Sequence, residues 1–341
     1  MELYLSILNI LACLGVVFLH SNSIFWGHPS GMLWISSNFI ETFFYWSVPI
    51  FFMISGATLT NYRKRYTTAT FLHKRFSKTV LPFLFWSVIA GLFISHISKT
   101  PMDWNLLHVA DNIFNTRYFS VYWFFIPLFS IYLSLPIISK LSTDLKLLFY
   151  FIILGVVFVF TLPLICNLLK LSVNFAIIPP PVYGGYIIYV ILGFYLDQTT
   201  LSLKVRRIIY LFGILGWFIH FEGTTLLSNG TLGINGTFKG YTNLPCFLHS
   251  LAIFVFFRHL NFQKIFKQYY NPATRFVYRL ASCTFGIYLL HFFLILWLPQ
   301  TFNIDCSKLS WRIGGGLLIF IICAFISNYA KKLPIINKLI P

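Results

Sequence analysis

The sequence predicts an all-α membrane protein, a polytopic helix bundle of about ten transmembrane helices with both termini in the cytoplasm. Three observations predict it. Of the 341 residues, 58% are hydrophobic and only 10% charged, far more apolar than an average soluble domain. Apolar stretches of about 20 residues, the length that crosses a bilayer, recur along the whole chain. The Lys and Arg residues fall in alternate inter-helix segments, 19 in one set and 6 in the other, as expected when basic segments stay on the cytoplasmic side. An ordinary cytosolic enzyme is excluded. The formal charge of +17, which in a soluble chain would suggest nucleic acid, is accounted for by topology, so no nucleic-acid partner is expected.

The elements follow in order from hydropathy broken at polar clusters. The first helix, 3–26, has the apolarity of a signal peptide but neither a basic leader nor a small-residue cleavage site, so it is expected to be retained. The second, 34–59, returns to a basic segment holding Arg63, Lys64, Arg65, His73, Lys74, Arg75 and Lys78. The third, 79–97, the fourth, 120–139, and the fifth, 146–165, follow, with Lys140 and Lys146 between the last two. The sixth, 183–197, and seventh, 206–221, are short and contain glycine, so they are expected to be tilted or broken beside a cavity, which leaves nine or eleven spans open. The eighth, ninth and tenth are 242–258, 280–299 and 312–330. Inter-helix segments reach only about 20 residues, too short for a fused soluble domain, so residues 1–341 read as one membrane domain. Six scattered cysteines, with no C-x-x-C or Cys/His spacing, predict neither a disulfide framework nor a metal site. Two Asn-Gly-Thr triplets at 229–231 and 235–237 match a glycosylation pattern but arise easily in a glycine-rich turn.

Polar groups in membrane helices are costly, face the bundle interior and are the default functional candidates. His20 lies about six residues from the outer end of the first helix, and Glu41 lies at similar depth on the returning second helix. The shared depth allows the two to meet, and a carboxylate beside an imidazole would fix its tautomer and stabilise the imidazolium formed when it acts as a base. A backbone carbonyl would satisfy His20 equally well. Asn9, eleven residues before His20, shares its helix face, and could simply bond a neighbouring helix. Tyr288 and His291 form a second polar pair at i, i+3 spacing on the ninth helix. The Arg63–Lys78 cluster serves topology and anionic lipid, and is also dense enough to hold a multiply phosphorylated ligand.

Six segments together resemble the acyltransferase 3 family of integral membrane acyltransferases, in particular its small stand-alone members of the enterobacterial common antigen O-acetyltransferase type. They are LNILACLGVVFLH (8–20), VPIFFMISG (48–56), FLHKRFSKTVLP (71–82), YWFF (122–125), GYIIYVILGFYL (185–196) and FGIYLLH (285–291). The resemblance implies transfer of an acyl group, commonly acetyl, from cytoplasmic acyl-CoA to a hydroxyl of a cell-envelope glycan or lipid-linked sugar, in a bacterial plasma membrane. It implies His20 as the catalytic base, beside which the depth and helix-face readings above set Glu41 and Asn9. The family carries a basic residue, usually arginine, eleven positions before that histidine, where this chain has Asn9. Acetyl-CoA is the expected donor co-substrate, its phosphates held by Arg63, Arg65, Arg75 and Lys78. Ser55, Tyr122, Trp123, Tyr241, Tyr288 and His291 are the expected acceptor-side or oxyanion-side residues. Expected partners are the glycan acceptor and membrane lipids, and a homo-oligomer is compatible with the sequence. Competing readings are a transporter or flippase of a lipid-linked substrate, an inactive scaffold, and an acyltransferase using a longer group such as succinyl.

Overall fold

The computed structural model describes residues 2–173, 185–334 and 336–340. The described residues form helices and turns without a strand. All ten expected helices are present, with an eleventh that the hydropathy reading missed. They are α1 (Leu3–Ser21), α2 (Gly31–Lys64), α3 (Thr68–Ser98), α4 (Leu106–Phe114), α5 (Ser120–Leu141) and α6 (Leu145–Leu168), then α7 (Gly185–Gln198), α8 (Leu203–Ser228), α9 (Leu244–Arg258), α10 (Phe262–Phe302) and α11 (Ser310–Ala330). Eight of these are long and apolar enough to cross a membrane, α7 and α9 being shorter. Residues 183–184, at the expected start of the sixth span, lie outside the described residues.

Several boundaries differ from the expectation, each for a local reason. α1 stops at Ser21 and the chain tightens into a 3-10 turn at Ser23–Gly27. α3 begins at Thr68, so the basic run through Lys78 is helical and continues into the span through a π-helical turn at Phe76–Val80, just before Pro82; such turns form where a helix ladder is interrupted. α8 is not short. Gly213 and Gly216 break nothing and instead admit α9, since a Cβ on Gly213 would lie 2.2 Å from the Ala252 Cβ. The missed element, α4, carries exposed Leu106, Leu107 and Phe114 beside exposed Trp104, the composition of a helix lying in a membrane interface.

α1 is the central helix, packed against α2, α10 and α11. The outward faces are apolar, as lipid requires; on α8 they include Leu211, Ile214, Leu215 and Phe218. α2 bends at Tyr45–Trp46 because Pro49 cannot donate to the Tyr45 carbonyl four residues back, and the Cys246 thiol turns toward that oxygen at 4.0 Å. Beyond the bend α2 and α7 touch backbone to backbone: a Cβ on Gly56 would lie 1.8 Å from the Val190 carbonyl oxygen, and one on Gly193 2.1 Å from that of Met53. Small residues are what allow such approach in a membrane. Gly56→Ala is therefore expected to destabilise the fold by about 1–3 kcal/mol, the usual range for overpacking, seen as a lower thermal midpoint in detergent; an unchanged midpoint would mean the two backbones can part freely. All six cysteines are unpaired thiols, five of them buried, with Cys306 half-buried in the α10–α11 connection.

Candidate active site

The end of the bundle that carries the basic run opens into a cavity of about 400 Å³ lined by α1, α2, α3, α5 and α10. Its polar lining includes Asn9, Ser55, Arg75, Lys78, Thr284 and Tyr288. Five of the residues singled out in the sequence are thus brought together. The helical continuation of α3 through the basic run is what places Arg75 and Lys78 on the cavity while Arg63 and Arg65 stay outside it. Those two are exposed; Arg63 donates to the Pro136 carbonyl at 3.2 Å and Arg65 to that of Thr58 at 2.9 Å. Of the four cations expected to hold phosphates, two line the cavity. Arg75 lies 5.8 Å from the ring centroids of both Phe71 and Tyr132, with its Nε buried and without a hydrogen-bond partner.

Asn9 uses its amide on α10, donating to the Thr284 hydroxyl at 2.8 Å and the Ala281 carbonyl at 3.3 Å. It ties α1 to α10 at the cavity wall, the interhelical role the sequence left open. Ser55 donates to the Phe51 carbonyl at 2.9 Å, so only its oxygen lone pairs are available to the cavity.

Eleven residues above Asn9, about 16 Å along the helix, His20 does not meet Glu41. Its ring lies 5.3 Å from that of His291, tilted by 35°, and 5.9 Å from Phe292. His291 is fully buried. Its Nδ1 is 2.7 Å from the Tyr288 carbonyl oxygen, and only an N–H can bond there, so the proton is assigned to Nδ1. Nε2 is then an acceptor, and it has no partner among the described residues. His20 is only partly buried. Tyr288 spans the interval: its ring lines the cavity and lies 5.7 Å from the His291 ring.

Two tyrosines lock this wall. Tyr122 donates to the Leu289 carbonyl at 2.7 Å, and Tyr288 donates to the Val121 carbonyl. Tyr122 is 1% exposed, so its hydroxyl is committed to holding the 120–124 turn against α10 and is no open donor to an acceptor or oxyanion.

Glu41 is in a separate polar centre toward the far end. Its Oε1 accepts from Lys239 Nζ at 2.6 Å, with both side chains buried. The ammonium also faces the rings of Tyr45, Phe25 and Trp26, at 3.9, 4.7 and 4.9 Å, a cation–π arrangement. Burial lowers the affinity of Lys239 for its proton and Glu41 restores part of it. The second Glu41 oxygen and Nε2 of the buried His220 lack partners among the described residues. Tyr45 connects this centre to an aromatic stack, lying 4.2 Å from Tyr241, which in turn lies 5.5 Å from Trp123. Trp123 and Tyr241 are therefore neighbours.

A family model described as an acyltransferase domain, acyltransferase 3, matches residues 2–328. The chain belongs to the acyltransferase 3 family. No curated protein and no solved structure gives a match. The acyltransferase 3 fold here is a multi-pass helix bundle, and no group of side chains able to hold a metal ion occurs among its described residues. Within this acyltransferase, sequence reasoning missed Tyr45, His220 and Lys239. Lys239 carried a signal, being one of only six basic residues in the sparsely charged segments, and so did His220, an imidazole inside the expected seventh helix; Tyr45 carried none.

Proposed function

We propose that this acyltransferase moves an acyl group, in the simplest case acetyl, from cytoplasmic acyl-CoA to a hydroxyl of a cell-envelope glycan or lipid-linked saccharide in a bacterial plasma membrane. The observation that carries the proposal is the vertical order of the site: a cation-mouthed cavity, then Tyr288, then the paired rings of His291 and His20. Arg75 and Lys78 suit the phosphates of the donor, and the cavity directs its thioester along the Asn9 face toward His20. His20, the accessible imidazole, takes the proton of the acceptor hydroxyl as its oxygen attacks the thioester carbonyl; the C–S bond breaks, and the departing thiolate can receive that proton. His291 packs its ring against that of His20 with Nε2 an open acceptor, and an N–H of His20 turned to it would leave the other nitrogen free as the base. Trp123, at the end of the stack through Tyr241 and Tyr45, offers a ring face for a sugar.

Purified protein in detergent, radiolabelled acetyl-CoA and envelope glycan should yield label in alkali-labile ester. Binding of acetyl-CoA without such transfer would exclude the acetyl group or the acceptor class tested, and an absence of binding would favour a transporter. Arg75→Gln is expected to raise KM for the acyl-CoA by about tenfold with little change in kcat, since it removes a charge-assisted contact remote from the reacting atoms. Arg63→Gln should have much less effect, because Arg63 lies outside the cavity. Equal effects of the two substitutions would contradict the placement of the donor.

A further inference from the structure

Far along α1 from the cavity, three elements converge on one cation. Arg312 belongs to the π-helical turn Ser310–Gly315 that opens α11, and it is 3% exposed. It donates to Asn22 Oδ1 at 3.4 Å and to Ser36 Oγ at 3.0 Å. Both acceptors are neutral. Asn22 is held in turn by the Ser37 carbonyl and Ser36 by that of Leu33. No ion pair involves Arg312 among the described residues, and its Nε is buried without a partner. The Ser21 hydroxyl, 1% exposed, has no partner either. It faces the same seam: a Cβ on Gly316, one turn beyond Arg312, would lie 3.1 Å from Ser21 Oγ. The C-terminal carbonyls of α1 supply a partial negative charge close by, which offsets part of the cation but leaves the Nε–H and the Ser21 hydroxyl unfilled.

A guanidinium with spare N–H groups, buried without a counter-ion, is suited to an anion with several oxygens, and phosphate matches its fork. Depth narrows the class. Arg312 lies in the first turn of a 21-residue span, which places it near headgroup level and away from the bilayer centre. The anions found at that depth are the phosphoryl groups of lipids. We propose that Arg312, Ser21, Asn22 and Ser36 form a binding site for a lipid phosphoryl group. On the acyl-transfer reading above, the phosphate of a lipid-linked saccharide held there would set its sugar beside His20, two residues before Asn22 in α1.

The test is retention of lipid by the full chain in neutral detergent, read by native mass spectrometry with polyprenyl phosphate, phosphatidylglycerol and phosphate-free diacylglycerol as probes. The wild-type protein should retain a phosphate-bearing lipid in preference to diacylglycerol, Arg312→Gln about tenfold more weakly and Arg312→Lys in between, since lysine keeps the charge but loses the fork. Preference for polyprenyl phosphate assigns the site to the acceptor, and equal retention of phosphatidylglycerol assigns it to a membrane headgroup. Ser21→Ala, a smaller change, should weaken retention severalfold and keeps the test valid if Arg312→Gln does not fold. Equal retention by wild type and variants, or none by wild type, overturns the site. No acyl donor is present, so failure of acyl transfer with intact retention would count against the proposed function alone.

Discussion

Replacing His20 by alanine is expected to lower acyl transfer by about 10²- to 10⁴-fold, the range contributed by a positioned general base, at unchanged membrane abundance and unchanged acyl-CoA binding. The residual rate should no longer vary across the pH range in which an imidazole titrates, because no imidazole then takes the proton. His291 acts one step away. His291→Phe keeps a ring in a fully buried position but removes the acceptor nitrogen, so kcat should fall by about tenfold with KM for the donor unchanged. Undiminished transfer by the His20 variant would end the assignment of the base. A loss in His291→Phe that appears only as less folded protein would reduce His291 to packing.

The second large effect concerns the Glu41–Lys239 pair. Removing one partner strands a charge among Tyr45, Phe25 and Trp26, and such losses cost about 3–5 kcal/mol. Lys239→Met alone, or Glu41→Leu alone, is therefore expected to lower the thermal midpoint steeply, while the double replacement should recover most of the loss, because two apolar side chains leave no charge unpaired. The double-mutant cycle in detergent measures the coupling. Additive single losses would show that the 2.6 Å contact contributes little. If the double variant folds yet no longer transfers acyl groups, the Glu41–Lys239 pair is needed for function and not for the fold.

Helix existence and the basic mouth of the cavity were legible in the sequence because both depend on local composition. Twenty apolar residues form a helix in lipid wherever they occur, since the backbone has no other hydrogen-bond partners there, and Arg75 and Lys78 declare themselves by charge. Pairings were not legible. His20 and Glu41 were matched by depth, which is one coordinate of three; the rotation of α2 about its axis, set by the bend ahead of Pro49, turns Glu41 to Lys239, and the packing of α10 on α1 brings His291 to His20. The glycines of α8 misled for a related reason: a glycine that breaks a helix and one that admits a neighbouring helix look identical until the neighbour is known. α4 escaped because nine residues are too few to register as a span, although Leu106, Leu107 and Phe114 gave it an apolar character.

The distribution of the thiols makes the chain its own chemical reporter. With five cysteines enclosed by protein and Cys306 alone half-buried between α10 and α11, a bulky membrane-impermeant maleimide should attach once, without any engineered site. Burial, followed by the neighbouring Asp305 carboxylate, raises the Cys306 thiol above its ordinary pKa, and the thiolate is the reactive form, so labelling should be slow at neutral pH and quicken as pH rises. Intact cells labelled at Cys306 would place the α10–α11 connection, and with it Arg312, on the external face, whereas labelling only after lysis would invert the entire path through the bilayer.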